Sequence, residues 1–322
     1  MKRVLLIYNP KAGKGVFPEH LSDVVDVFVS AGYRVEVHPT QHAGDGGETA
    51  EALAGEFDLV VAAGGDGAMD EVISGLCRSG NFVPIGFIPV GSTNDFAQSL
   101  GMPGDPVEAA REIVGGEVVT IDIGRFNEAH FLYVAAFGVF TSVAYKTSQD
   151  MKNIFGRLAY LAEAGRQLNE IKSEAMTVET DDGVLEGKFI FGMVTNSLSV
   201  GGVRFIMGRD ITLNDGLFEV MLIHEPETLM EWQDVIRALM TDEPSLFVRK
   251  FKTKHIVFHS ENEVEWTLDG EFGGRLQECR IDNLHNHMPL MLGKWELKTA
   301  VEEAVLQEDE DTKMGKIEQN EA

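Results

Sequence analysis

The sequence predicts an α/β lobe built on a doubly wound parallel sheet, followed by a mostly antiparallel β lobe, with a cleft between the two. Two observations predict it. Over the first 120 residues, short uninterrupted apolar runs alternate with stretches of helical period. That alternation marks a parallel sheet covered on both faces. From about Ile123 onward the apolar runs are joined by hairpin turns instead, as at Asp182-Gly183, which calls for antiparallel pairing. A length of 322 residues suits two domains.

In order, "RVLLIYN" is a buried strand and residues 21–30 are helical. "RVEVHPT" is the second strand, followed by a helix over residues 47–54. "DLVVAAG" is the third strand. After it, Met69, Val72, Ile73, Leu76 and Cys77 recur at helical spacing, so a helix is expected from Met69. "IGFIPVG" is the fourth strand, with residues 95–100 helical behind it. In the second half, "MTVETDDGVLEGKFIFGMV" reads as a hairpin, and "GLFEVMLIH", "HIVFHS" and "EVEWTLDGE" as further strands. One helical interruption spans roughly residues 148–168.

Charge and composition remove several function classes. There are 27 basic and 52 acidic residues, a formal charge of −25. No basic patch is large enough to hold nucleic acid against that field. Residues 301–322 are acidic, sparse in apolar side chains and expected to be a disordered tail. Cys77 and Cys279 give no disulfide or metal framework, which fits a reducing cytosol. The apolar run near the start, Val4 to Tyr8, is too short for a secretory signal, and nothing approaches a membrane span. A soluble, cytoplasmic protein is expected.

Three loops of the first lobe share one chemistry. "NPKAGKG" follows strand one, "GGDGAMDE" strand three and "PVGSTNDF" strand four. Glycine lets backbone N–H groups approach an anion, and the following helix N-terminus adds a favourable dipole. Ligands of such sheets sit beyond the carboxyl ends of the strands, where all three loops lie. Together they suggest a polyphosphate cradle. The first is no Walker A loop, because Gly15 follows Lys14. The second is no dinucleotide fingerprint, because Asp70 holds the third glycine's place.

With those loops, "NPKAG", "GGDGAMDEV", "PVGSTNDFA" and the distant "LDGE" (residues 268–271) resemble the four marks of the diacylglycerol kinase catalytic family. Soluble bacterial lipid kinases are the nearest relatives implied, and sphingosine and ceramide kinases share the motifs. The resemblance runs from residue 1 to about 295, with weaker matches at "KNIFGRLAY" and "VGGVRFIMGRDITLNDGLFEV". It implies an ATP-dependent lipid kinase with a nucleotide-binding lobe over residues 1–123, rejoined by 288–300, and a β-sandwich lobe over residues 124–287. ATP and the active site would lie in the cleft between them. A homodimer is an expectation of the resemblance alone.

Carried over motif by motif, the resemblance places Asn9, Pro10, Lys11, Ala12 and Gly13, and Gly65, Asp66, Gly67, Ala68, Met69, Asp70 and Glu71, at the nucleotide phosphates. Thr40, Ser92 and Asn94 would also contact nucleotide. Asp66, Asp95 and Asp122 match acids that organise Mg²⁺, partly through water. Thr212, Asp215 and Leu217 match a separate magnesium site in the second lobe, where the ion is structural and is held partly by main-chain carbonyls. Glu271 matches the general base, with Asp269 beside it. The chemistry agrees with this assignment. A lipid hydroxyl is a poor nucleophile until a carboxylate accepts its proton, and the rest of phosphoryl transfer is positioning and charge neutralisation.

The pattern is broken in places. Ala68 stands where the family usually has Thr, and Asp70 and Ser74 where it usually has Asn. These departures bear on ATP use and on the donor. They leave two competing readings open: an NAD kinase, which shares a Gly-Gly-Asp-Gly turn, and a degenerate, non-catalytic nucleotide-binding protein. A lipid kinase must also reach a bilayer, transiently at the inner face of the membrane. Two basic stretches are candidates for that contact: "RKFKTKH" at 249–255, and a helix over 146–172 carrying Lys146, Lys152, Arg157, Arg166 and Lys172.

Overall fold

A computed structural model of the chain describes residues 1–139, 172–197, 199–200, 203–204, 212–241 and 243–293. The first half contains β1 (Lys2–Tyr8), α1 (Phe17–Ser30), β2 (Tyr33–Pro39), α2 (Asp45–Leu53), β3 (Leu59–Gly64), α3 (Asp66–Ser79), β4 (Ile85–Pro89), α4 (Asp95–Leu100) and α5 (Pro106–Gly115). The strands pair in parallel in the order β4-β3-β1-β2. All six positions of β3 are buried, because helices cover both faces of the sheet. Alternate side chains enter separate cores. Leu5, Ile7, Val60 and Ala62 pack with Val72, Ile73 and Leu76 of α3. Val4, Leu6, Val61 and Ala63 pack with Val24 and Phe28 of α1 and Ile113 of α5.

Two elements depart from the sequence reading here. Helix α3 begins at Asp66, three residues before the expected start, with Gly65 as an extended N-cap and Asp66 in its first turn. An acid there complements the helix dipole. Helix α5 was not anticipated, although Asp105-Pro106 announces it. The Asp105 side chain accepts from Val107 and Glu108 N–H at 3.0 and 2.9 Å, and proline suits the first helical position.

The second half holds β5 (Glu117–Phe126), β6 (Ala129–Phe131), β7 (Val134–Gly138), β8 (Glu174–Thr180), β9 (Gly183–Thr195), β10 (Ser199–Val200), β11 (Val203–Arg204), β12 (Phe218–His224), α6 (Leu229–Thr241), β13 (Val248–Thr253), β14 (His255–Leu268) and β15 (Glu271–Leu292). Its strand pairs are antiparallel. Trp266 anchors the core, with ring centroids 4.9–5.2 Å from Phe126, Phe137 and Phe258. The segments "HIVFHS" and "EVEWTLDGE", expected as separate strands, are one strand, β14, with a register shift between His259 and Val264. Helix α6 was also unanticipated; Trp232, Val235 and Ala238 form its buried stripe.

Strand β15 determines how the halves meet. Its first part pairs with β14, its later part with β5, and Leu290 lies parallel to Ile85 of β4. One sheet of 13 strands therefore runs through both halves. The helix expected over 148–168, the "KNIFGRLAY" match and the acidic tail over 301–322 lie outside the described residues. No described helix is long and apolar enough to cross a membrane.

Candidate active site

The three glycine loops converge at the carboxyl ends of the parallel strands and touch through bare backbone. A Cβ on Gly13, whose φ is +57°, would lie 2.4 Å from the Val90 carbonyl. A Cβ on Gly91 would lie 2.4 Å from Gly65 Cα. Asn9 fixes the first loop: its N–H donates to the Ala63 carbonyl at 2.9 Å, and its side chain accepts from Lys11 N–H at 2.9 Å. Asn94, at φ +53°, folds the third loop by accepting from Gly91 N–H at 3.0 Å and donating to Gly91 O at 3.1 Å.

A cleft of about 500 Å³ opens above these loops, a volume suited to a nucleotide-sized ligand. Of the expected nucleotide residues, Asn9, Pro10, Lys11, Ala12, Gly13, Thr40, Gly65, Gly67, Ala68, Glu71 and Ser92 line it, and Glu271 joins them from the second half. Asp66, Met69, Asp70 and Asn94 do not. Met69 is completely buried in the core below the sheet edge, and Asn94 serves its own loop. Gln41, His42, Ala43 and Gly46 line the cleft without having been anticipated, and Gly91 of the third loop joins them. The signal for His42, Ala43 and Gly46 was the run "HAGDGG" at the start of α2. Gly44 has φ +87° and donates to Glu71 Oε1 at 2.8 Å. A Cβ on Gly47 would lie 2.7 Å from the Glu71 carbonyl, so small residues let α2 close on α3.

Glu271 opens β15 directly after the hairpin turn Asp269-Gly270. Both turn residues have positive φ, +49° and +87°, as a two-residue turn of this kind requires. Glu271 is exposed, and no described residue hydrogen-bonds its carboxylate. Its Oε1 lies 3.9 Å from the Cβ position of Gly67, directly against the Gly-Gly-Asp-Gly turn. Asp269, expected beside it in the catalytic pair, is bound differently. Its Oδ2 accepts from Leu132 N–H at 2.5 Å, and its Oδ1 from Tyr133 and Val134 N–H at 3.0 and 2.8 Å. Through these bonds Asp269 fastens the hairpin tip to the β6–β7 link.

Asp66 is also structural in its visible contacts. It accepts from Asp95 N–H at 2.8 Å and Phe96 N–H at 3.2 Å, capping α4 from another loop. Burial pushes its carboxyl up to about 6. Burial likewise pushes Asp269 up to about 6, although three N–H groups pull the other way. Asp70 lies against Asp269 and shares a hydrogen bond with it. Its Oδ1 is buried without a partner among the described residues. Burial first, then the charge of Asp269, raise Asp70 well above the ordinary carboxylate value. A protonated Asp70 donates to Asp269, as the amide of the family's usual Asn would, which explains how this chain tolerates the departure.

An acid whose folded value exceeds its unfolded one stabilises the fold at low pH and loses that contribution as pH rises through the folded value. For Asp66 and Asp269 the window runs from 3.8 to above about 6, and Asp70 is shifted in the same direction. Asp70→Asn keeps a donor toward Asp269 and removes one of these upward-shifted titrations. The fall in Tm between about pH 5 and about pH 8 should therefore be smaller in Asp70→Asn than in the unaltered chain. Parallel Tm–pH curves for the two proteins would show that Asp70 is not held protonated.

The remaining acids form a second cluster. Asp122 is wholly buried; its Oδ2 accepts from Gly216 N–H at 2.7 Å, and its Oδ1 from Asn286 N–H at 2.7 Å, with His285 Nδ1 at 3.1 Å. Asp215 Oδ1 accepts from Leu217 N–H at 3.0 Å, and Lys252 Nζ stands 3.3 Å from its Oδ2. Thr212 opens this turn, half-buried. Asp122 is thus tied to the Thr212–Leu217 turn. Asp215 gives one oxygen to a backbone N–H and faces an ammonium with the other.

Comparison with known proteins identifies the family. The family model "Diacylglycerol kinase catalytic domain" matches residues 3–126. A Bacillus subtilis (strain 168) protein named diacylglycerol kinase is 35% identical over 304 residues, covering 91% of this chain and 97% of that protein. A Staphylococcus epidermidis diacylglycerol kinase is 33% identical over 298 residues, covering 91% and 93%. A solved Bacillus anthracis structure described as a diacylglycerol kinase shares the fold, with a TM-score of 0.72 at 24% identity over 91% of this chain and 97% of that one. With relatives at this level over nearly their full length, the chain belongs to the diacylglycerol kinase catalytic-domain family.

Proposed function

We propose that this chain transfers the γ-phosphoryl group of ATP to the hydroxyl of a membrane lipid, diacylglycerol first among the candidates, with Glu271 as general base. One observation carries the reading: a carboxylate with no hydrogen-bonded partner among the described residues enters, from the second half, the same cleft that three backbone-lined loops open from the first. The loops offer N–H groups to the phosphates, and Lys11 and the start of α3 add positive potential. Glu271 takes the proton as the hydroxyl attacks.

Magnesium, when bound, neutralises the charge that develops on the transferred group. The donor set on the nucleotide side fits an ion held through water. Asp66 spends one lone pair of each oxygen on the α4 N-terminus, and the remaining lone pairs can accept from metal-bound water. Asp95 stands buried at the same helix start. Asp122 lies with the Thr212–Leu217 turn and is assigned a scaffolding part.

Ala68 lines the cleft and offers the phosphates no hydroxyl. Ala68→Thr should raise kcat/KM for ATP by roughly tenfold, since a hydrogen bond to a charged group contributes about 1.5–3 kcal/mol. Initial rates at varied ATP check this, and unchanged kinetics would show that residue 68 does not reach the phosphates.

Bilayer access rests on fewer cations than the sequence suggested. Within 249–255, Lys252 pairs with Asp215 and Glu219, and His255 Nδ1 lies 2.7 Å from Asp282. Arg249, Lys252 and Lys254 are all exposed there, and the 146–172 stretch lies almost wholly outside the described residues. The test of the reading is an acceptor screen: labelled ATP, total membrane lipid and, separately, NAD, with products identified by mass spectrometry. Label in a phospholipid supports it; label in NAD alone would move the chain to the competing small-molecule kinase class.

A further inference from the structure

The resemblance places a structural magnesium ion at Thr212, Asp215 and Leu217. In this chain the turn already contains a cation. Lys252 of β13 stands directly opposite Glu219 of β12 in the antiparallel register, and its ammonium lies 3.1 Å from Glu219 Oε1 and 3.3 Å from Asp215 Oδ2. The Glu219 side chain is 4% exposed. A carboxylate buried that deeply in a β-strand needs a countercharge. Several other groups of the turn have partners: Asp215 Oδ1 takes Leu217 N–H, Asp122 Oδ2 takes Gly216 N–H, and the Leu213 carbonyl accepts from Asp122 N–H at 2.7 Å and from Asn196 Nδ2 at 3.2 Å.

We propose that Lys252 is the resident cation of this turn, and that the second half folds and holds Asp215, Glu219 and Asp122 in place without a divalent ion. A hard ion such as Mg²⁺ asks for a near-octahedral set of oxygens. Here it would share Asp215 Oδ2 with an ammonium and depend on main-chain carbonyls for the rest, and like charges at that separation repel strongly. The direct cross-strand register and the 3.1 Å contact favour the ionised pair.

The consequence is a stability that ignores magnesium, and it is independent of whether the chain phosphorylates lipid. The test is thermal unfolding of the full chain without nucleotide, in Mg²⁺ and in EDTA. The unaltered chain should melt at the same temperature in both. Lys252→Met should melt several degrees lower in EDTA and recover part of the loss in Mg²⁺, while Lys252→Met combined with Asp215→Ala should recover nothing. A Tm of the unaltered chain that rises with Mg²⁺, and no longer does so in Asp215→Ala, would overturn the proposal. If Lys252→Met does not fold, terbium luminescence decides: equal signal from the unaltered chain and Asp215→Asn supports a lysine-filled turn, and a signal lost in Asp215→Asn contradicts it.

Discussion

Glu271→Gln is expected to fold like the unaltered chain, bind ATP with the same affinity and turn over about 10²–10⁴-fold more slowly. The expectation follows from where Glu271 stands. It is exposed at the mouth of the cleft, no described residue hydrogen-bonds its carboxylate, and the hairpin that carries it is held by Asp269 instead. Gln keeps the shape and removes only the capacity to take a proton. Equilibrium ATP binding and kcat, measured on the same preparation, separate the two effects. Turnover at the unaltered rate would remove Glu271 from the chemistry.

Asp269→Ala should damage both stability and rate. Three backbone N–H groups, those of Leu132, Tyr133 and Val134, lose their acceptor at once in a buried place. Leaving a buried donor unsatisfied costs about 1–3 kcal/mol, so roughly 3 kcal/mol or more is at stake, a large share of the about 5–15 kcal/mol that separates folded from unfolded domains. Alanine also dislikes the positive φ of this turn, +49°. Asn tolerates that conformation and retains one acceptor oxygen, so Asp269→Asn should fall between the two. Urea midpoints for the three proteins give the order. An Asp269→Ala midpoint equal to that of the unaltered chain would mean that the hairpin tip is held by something else.

Much of this was legible in the sequence because the first half obeys local rules. The β-runs of the parallel sheet are short, β1, β3 and β4 are apolar, and each helix that was anticipated carries its own period. Two helices, α5 and α6, were missed, although the Asp105-Pro106 cap would have revealed α5. The long strand β15 was unreadable for a different reason. Its partners change from β14 to β5 and β4 along its length, and only long-range pairing defines it. At the site, motif residues that offer bare backbone were placed in the cleft by their glycines alone. The acids were harder. A carboxylate in a motif reads as a ligand or base, but Asp66, Asp122 and Asp269 each spend their oxygens on backbone N–H groups of segments distant in sequence. Nothing local announces those donors. The same holds for Lys252, which read as part of a basic surface until β12 and β13 set it opposite Glu219.

The most direct test of phosphoryl transfer in this cleft is a single assay with γ-labelled ATP, Mg²⁺ and vesicles containing diacylglycerol. Organic-phase label and ADP are measured together over the first turnovers. If the hydroxyl of the lipid is the acceptor, phosphatidic acid should form mole for mole with ADP, and neither should form in Glu271→Gln beyond its slow residual rate. ADP formed without labelled lipid, or label that stays in water whatever the vesicle contains, would contradict a lipid kinase acting through Glu271.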